Sequence, residues 1–320
     1  PKNLVAKIPN SVSDDDAVYT VVSSISLQGI RLLQPTIGEN IVVMGLGLIG
    51  LIAIQILKAN GCNVLGIDHD TSKIEIANKL GIKTLLLSDK EDSVELAKKF
   101  SNNIGVDGVL ISASTKSNDP IHNAAKMCRQ KGRIVLVGVV GLDLQRKDFY
   151  EKELSFSVSC SYGPGRYDNE YEEKGNDYPI GYVRWTEKRN FIAILDLINQ
   201  DLIKYDLLRT AEFSFEEAAS AYEKIIKDSS SLGIVLNYDQ SNAVDNDTIE
   251  INKNSPKFNK YKSVVLGSIG AGNYAGRVLL PAFKKSDVFL KTIASSQGAS
   301  SGHIAKKLGF YQNTTDHKKI

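Results

Sequence analysis

The stretch VVMGLGLIG sets Gly45, Gly47 and Gly50 in G-x-G-x-x-G spacing. A β-branched run precedes it and an apolar helical pattern follows, the context in which this spacing points to phosphate binding. Gly45 allows the tight turn. Gly47, without a side chain, lets a pyrophosphate approach the backbone, and Gly50 lets the following helix pack close on the strand. Leu48 and Ile49 stand at the helix start, where free N–H groups and a positive partial charge face an anion. Asp68 closes the next strand, about 20 residues downstream. A carboxylate there takes the hydroxyls of an adenosine ribose and repels a 2′-phosphate, so NAD is expected over NADP. No Arg follows nearby; His69 and Asp70 do. The alternative is a glycine turn beside a surface acid.

A second loop, GSIGAGNYA, repeats the spacing with Gly270, Gly272 and Ala275, and Gly267 stands upstream. Asn273 and Tyr274 open the helix expected after it. No acid ends the next strand, where Ala294, Ser295 and Ser296 stand. Serine hydroxyls suit a ribose or a 2′-phosphate, so this site is open to NAD or NADP. The alternative is a loop that folds and binds nothing.

The elements that position these loops follow from periodicity. Strand-like runs occur at 41–44, 63–67, 84–87, 107–112, 133–139 and 154–159, and helical stretches at 48–60, 72–80, 93–100 and 120–130. Short β-branched strands alternating with helices predict right-handed βαβ units: an α/β fold with a doubly wound parallel sheet, the Rossmann arrangement. Ser13–Asp16 has the form of a helix start, with a short apolar helix to about Leu33. Phe191, Ile194, Leu195 and Ile198 share one helical face. Phe215, Ala218, Ala219, Tyr222 and Ile226 share another, and 233–238 is strand-like. This gives a nucleotide-binding domain over 1–239, a polar linker over 240–260, and the opening of a second, incomplete Rossmann unit over 261–320. Sixty residues cannot complete a doubly wound domain, and the chain starts at Pro1. It reads as an interior piece of something longer.

Residues 161–189 break the alternation. They hold five Tyr, the only Trp and many charges, which predicts a long ordered insertion. Tyr162, Arg166, Tyr167, Tyr171, Tyr182, Arg184 and Trp185 are candidates for a wall that recognises a sugar nucleotide or a partner domain. Arg suits a phosphate or carboxylate fork, and aromatic faces suit a ring. The alternative is a flap held by Arg–carboxylate pairs with Asp168, Glu170, Glu172 and Asp177. His122 reads as structural. Lys147, Asp148 and Lys152 lie near the insertion, but no proton carrier can be assigned among them.

Composition sets the outer bounds. The chain has 320 residues, 42% of them apolar and 24% charged, enough for a core and against disorder. Its 39 basic and 37 acidic residues leave a net charge of +2, which gives no electrostatic case for nucleic acid or an acidic membrane surface. No apolar run approaches a membrane span. With no signal peptide and three scattered cysteines, a cytoplasmic protein is expected. A homo-oligomer is compatible with all of this.

The first unit resembles the nucleotide-binding domain of medium-chain alcohol dehydrogenases in GENIVVMGLGLIG, GIDHD, GVDGVLISAS, KGRIVLVGVV and FSFEEAASAYEKI, over about 1–238. From SVVLGSIGAGNYA onward the chain resembles the start of the glucose–fructose oxidoreductase and inositol dehydrogenase (Gfo/Idh/MocA) family. The order of the two, with SYGPGRYD and YVRWTEKRN between, resembles bi-domain oxidoreductases of bacterial polysaccharide gene sets. The first resemblance implies that Ser112, Ala113 and Ser114 lie by the nicotinamide ribose, and Val137, Gly138 and Val139 by its carboxamide. Ordinary strand-end packing is the alternative there. Zinc ligands of that family lie mostly upstream, and VYTVVSSISLQG lacks the Cys that normally precedes the glycine loop, so no metal is expected. In the second family the catalytic Lys and His would fall after Ile320. Together the resemblances imply an NAD(P)-dependent oxidoreductase acting on a hydroxyl-bearing carbon of a small sugar or sugar nucleotide. A zinc-dependent alcohol or polyol dehydrogenase and a non-catalytic dinucleotide-binding scaffold remain as alternatives.

Overall fold

From Asn40 onward, β-branched strands and apolar helices pair into successive βαβ units. A computed structural model of the chain describes residues 1–88, 92–238, 248–252, 264–286, 288–296 and 298–320. The strands are β1 (Asn40–Met44), β2 (Asn63–Asp68), β3 (Lys83–Leu86), β4 (Val106–Ile111), β5 (Cys128–Leu136) and β6 (Ser155–Val158). They form one parallel sheet in the order β3-β2-β1-β4-β5-β6. The order reverses between β1 and β4, and such a switch point opens a crevice at the carboxyl ends of the strands.

Around the sheet lie α1 (Asp14–Ala17), α2 (Thr20–Leu33), α3 (Leu48–Ala59), α4 (Thr71–Lys79), α5 (Ser93–Phe100) and α6 (Asp119–Met127). Strand side chains alternate between faces. Ile41 and Val43 join a core with α2, α3 and α4, while Val42 and Met44 join a second core with α5 and α6. This burial on both faces is why the strands read as unbroken apolar runs. Ser13 caps α1 by accepting from the Asp16 N–H, as its sequence predicts. In α2 the small residues Ser23, Ser24 and Ser26 are fully buried. Ser26 Oγ donates to the Ile49 carbonyl at 2.8 Å, tying α2 to the start of α3.

Two boundaries differ from expectation. The helix read as 120–130 stops at Met127, and β5 starts at Cys128. Lys152 Nζ takes the carbonyls of Ala125, Lys126 and Cys128 at 2.8–2.9 Å, satisfying acceptors that a longer helix would have used. The strand read as 133–139 leaves the ladder after Leu136; Val139 makes an isolated bridge to Ser114.

The rest of the first unit holds α7 (Arg146–Tyr150), α8 (Asn169–Glu172), α9 (Glu187–Asn199), β7 (Arg209–Ser214), α10 (Ala218–Lys227) and β8 (Gly233–Asn237). Ile194 on α9 enters the first core, but Ile198 only borders it. Strands β7 and β8 pair in parallel as a small separate sheet, and β7, with only Ala211 and Phe213 apolar, was not anticipated from the sequence. The apolar row on α10 exists but does not face a core. Ala221 is buried, whereas Phe215, Tyr222 and Ile226 are 50%, 67% and 82% exposed.

Two compact units result, Pro1–Tyr238 and Asp239–Ile320. The second contains β9 (Thr248–Glu250), β10 (Val264–Ile269), α11 (Leu280–Lys284), β11 (Val288–Ala294), α12 (Ala299–Leu308) and β12 (Gln312–Thr314). Its sheet runs β10-β11-β12-β9, with β9 antiparallel to β12. Part of the stretch expected to be a linker is therefore a strand, because the β12 edge offers backbone partners to 248–250. The remaining parts of that stretch, 240–247 and 253–260, lie outside the described residues. Leu280, Leu290, Ile293, Leu308 and Phe310 form a small core of the unit's own. Among the described residues no helix is long and apolar enough to cross a membrane.

Candidate functional site

At the switch point the β1–α3 turn holds the first glycine loop. Gly45 has φ +94°, and a Cβ there would lie 2.6 Å from the Ala113 nitrogen, so both conformation and space demand glycine. A Cβ on Gly50 would sit 1.9 Å from the Gly45 carbonyl oxygen, which is how α3 packs so close to the turn. At Gly47 a Cβ would meet nothing within 4 Å, so the space a side chain would take is open. Gly47 is also the N-cap of α3 and has no side chain to cap it. The first intrahelical bond near it is Leu51 N–H to Gly47 O, which leaves the N–H groups of Leu48, Ile49 and Gly50 for an external acceptor.

Asp68, at the end of β2, reaches across to this loop. Its carboxylate accepts from the Leu46 N–H at 2.6 Å and from the Asp70 N–H at 2.9 Å. Each oxygen keeps a further lone pair for a ribose hydroxyl. Asp68 is thus a clamp on the glycine loop as well as a candidate ribose acceptor, a role that spacing alone did not reveal. Asp70 caps α4, and its bond with Ser72 holds its carboxyl below the usual range.

These residues open on a crevice of about 760 Å³, in the range of ligand sites. Gly45, Gly47, Asp68, His69, Ser112 and Ala113 line it together, as does Ser114. Ser112 Oγ donates to the Gly45 carbonyl at 2.7 Å and so braces the turn. Lys73, Thr115, Asp119 and Asn123 also line the crevice and were not anticipated. Lys73 lies in the first turn of α4, where its signal was a single charge among several; its Nζ is 3.5 Å from Asp70. Val137, Gly138 and Val139 do not line the crevice. A Cβ on Gly138 would lie 2.1 Å from the Ala113 oxygen, and Val139 N–H donates to that oxygen at 3.0 Å. Strand-end packing accounts for these contacts. The N–H groups of Val137 and Gly138 both go to Ile111 O, so neither is left for a ligand.

The insertion stands apart from the crevice: none of its candidate residues lines it. Arg166 pairs with Glu172 at 2.6 Å and Arg189 with Asp177 at 2.6 Å. Asp168 caps α8 and accepts from the Tyr178 hydroxyl. Tyr171 is buried and stacks on Tyr178 at 5.4 Å. Arg166 also lies over Tyr167 at 4.1 Å, with Tyr162 further off. These are the bonds of a braced flap. Tyr182 is 92% exposed, and Arg184 stacks on Trp185 at 3.8 Å. His122 Nδ1 meets Asp148 Oδ2 at 2.6 Å, a link between α6 and α7.

In the second unit Gly270 has φ +98° and donates its N–H to the Ala294 carbonyl. Gly270, Gly272, Ser295 and Ser296 line a cavity of about 430 Å³. Asn273 and Tyr274 do not line it, and Tyr274 is 68% exposed. A π-helical turn, Ala275–Leu279, follows and continues into α11.

With this geometry in hand, residues 49–174 match the family model described as zinc-binding dehydrogenase. Over these residues the chain is similar to that family's dehydrogenases. D-arabitol-phosphate dehydrogenase of Enterococcus avium is 22% identical over 233 residues, 67% of this chain and 58% of that protein. D-guloside 3-dehydrogenase of Escherichia coli (strain K12) is 26% identical over 227 residues, 69% of this chain and 60% of that protein. Among solved structures, an alcohol dehydrogenase from E. coli CFT073 complexed with NADH superposes with a TM-score of 0.58 at 24% identity, covering 72% of this chain and 61% of that one. The chain thus spans about three fifths of the length of these relatives. The family match ends at residue 174, short of the second unit.

The family description implies zinc. Burial pushes the Cys62 thiol up and the Cys128 thiol up to about 12, while Cys160 is exposed. Among the described residues no three of His, Cys, Asp or Glu come together as a metal site. The described residues therefore do not fit a catalytic zinc, which takes three protein ligands.

Proposed function

We propose that the first unit holds NAD and that the full-length protein is a dehydrogenase of a hydroxyl-bearing carbon. The observation that carries this reading is the cradle at Gly47. It joins an open approach, an uncapped helix start and a carboxylate clamped beside it at the mouth of one crevice. The pyrophosphate would take the N–H groups of Leu48 and Ile49, and the adenosine ribose would take the free lone pairs of Asp68. Ser112, Ala113 and Ser114 would lie along the nicotinamide half, with the strand end at Val137 and Gly138 beyond the crevice lining. The cofactor supplies the hydride chemistry; these residues bind it and fix which face it presents.

The substrate is proposed to be a small polyol or sugar, extending what the names of the two dehydrogenase relatives say of those proteins. A sugar nucleotide in polysaccharide synthesis is the finer reading, and it rests on the bi-domain resemblance. The second glycine loop would bind NAD or NADP as the start of a Gfo/Idh/MocA-like unit, with Ser295 and Ser296 at the ribose.

Titration with NADH and NADPH, read by nicotinamide fluorescence, tests the first site. Wild type is expected to prefer NADH by about tenfold or more, and Asp68→Ala to lose that preference. An unchanged ratio in the mutant would remove Asp68 from the ribose. No binding of either cofactor would overturn the reading, and binding without hydride exchange by the full-length protein would favour the scaffold alternative.

A further inference from the structure

A second cavity, of about 380 Å³, lies between α2, α3 and the insertion. It is lined by Leu27, Ile30 and Arg31 of α2, by Ile56 and Ala59 of α3, and by Trp185 of the insertion. Those are the last residues of α3. The dinucleotide cradle is at the first, so a 12-residue helix, about 18 Å long, separates the two places.

One side of this cavity carries positive charge without a counter-charge. The Arg31 guanidinium stacks on Trp185 at 3.4 Å from the ring centre, and Arg184 stacks on the same ring at 3.8 Å. Arg31 Nε donates to Asn190 Oδ1 at 2.7 Å, and Asn190 is itself fully buried and bonded to the Tyr162 carbonyl. The guanidinium is therefore held in place by a ring and a buried amide. No carboxylate pairs with Arg31 or Arg184 among the described residues, although Arg166, Arg189 and Arg209 each have one. Burial, and then the like charge of Arg184, bring Arg31 down to about 10. An anion placed against Arg31 would relieve both effects.

We propose that this cavity binds a small amphipathic anion, a carboxylate or phosphate ester carried on an apolar ring. The leucine and isoleucine floor takes the ring and the Arg31 fork takes the anion. The volume exceeds the roughly 150 Å³ that accepts a benzene ring, so one ring with a short tether fits.

Trp185 is the only tryptophan and lines the cavity, so its emission reports on it. The full chain is titrated with 3-phenylpropionate, with phenyl phosphate, and with neutral 3-phenylpropanamide, and calorimetry follows the same additions. Both anions are expected to saturate with Kd below about 1 mM, and the amide to bind at least tenfold more weakly. Arg31→Gln is expected to cost about tenfold in affinity for the anions. Arg184→Gln, at an exposed position, is expected to cost about threefold and keeps the test open should Arg31→Gln misfold. Absence of saturation with either anion, equal binding of the amide, or wild-type affinity in both variants would overturn the site.

Discussion

The two glycine loops have the same spacing and different surroundings. The first turn follows β1, which is flanked by β2 and β4. Its third glycine abuts the carbonyl of its first, and an acid from the neighbouring strand clamps the loop. The second turn follows β10, which among the described residues has β11 as its one neighbour in the sheet. Alanine replaces the third glycine, a π-helical turn begins at that alanine, and β11 ends in Ala294 with serines after it. Spacing encodes a turn with positive φ at its first glycine, and both loops have it. How closely the helix approaches, and what stands beside the ribose, are decided by neighbours that spacing does not contain.

The largest expected effect is at Gly50. Gly50→Ala drives a methyl group into the Gly45 carbonyl, backbone against backbone, where no rotamer can relieve it. The first unit should lose more than about 3 kcal/mol, with cofactor binding lost as well. Gly47→Ala meets no protein atom within 4 Å, so its melting temperature should stay near wild type while NADH affinity falls. Thermal melts beside NADH titrations separate the two. A Gly50→Ala protein that melts like wild type would mean the loop can shift, and the contrast between the two turns would lose its basis.

That pair also shows what the sequence could disclose. The first loop, the parallel sheet around it and the reach to Asp68 were legible because each is local: spacing, β-branched runs and one strand end. The clamp from Asp68 to Leu46 was not, because it depends on how far a side chain crosses the turn. Lys73 was hidden for the same reason. Strand β7 went unseen because its partner β8 lies across α10 and its alternation rests on two apolar residues, Ala211 and Phe213. The apolar row about α10 was legible as a row, but its exposure was not, since periodicity shows that a face exists and not what covers it. The insertion's ordered character was legible from its aromatics. Its separation from the crevice was not, because that follows from where α2 and α9 hold it.

Acids sharpen the same lesson at smaller scale. Asp68 has both oxygens bonded to backbone N–H groups. Glu187 is fully buried, and neither of its oxygens has a hydrogen-bond partner among the described residues. Burial first, and then the charge of Glu172, raise Glu187 from 4.5 to about 7, with Arg166 opposing. Below about pH 4.5 the group is neutral in both folded and unfolded chains. As pH rises from there to about 7 the unfolded chain ionises while the folded one keeps its proton, so stability falls across that window and levels off above it. Glu187→Gln should match wild type near pH 4 and exceed it by about 3 kcal/mol near pH 8. A denaturant series at both pH values measures this. A mutant less stable at pH 8 would mean that the carboxylate has a partner and that the contrast with Asp68 is false.

The smallest expected effect tests the second loop directly. Ala275→Gly restores the spacing of the first loop in full. If the π-helical turn is simply how this helix starts, removal of a methyl group from a helix interior costs up to about 1 kcal/mol through backbone freedom. If the turn instead widens to make room for the alanine methyl against the loop, the same change relieves crowding and the second unit gains stability. The first result keeps the two loops distinct in construction, because neighbours rather than one methyl group set the helix start. The second would make them variants of one design, separated by Ala275, and the double variant Ala275→Gly with Ser295→Asp would then be expected to build in the second unit the NAD preference proposed for the first.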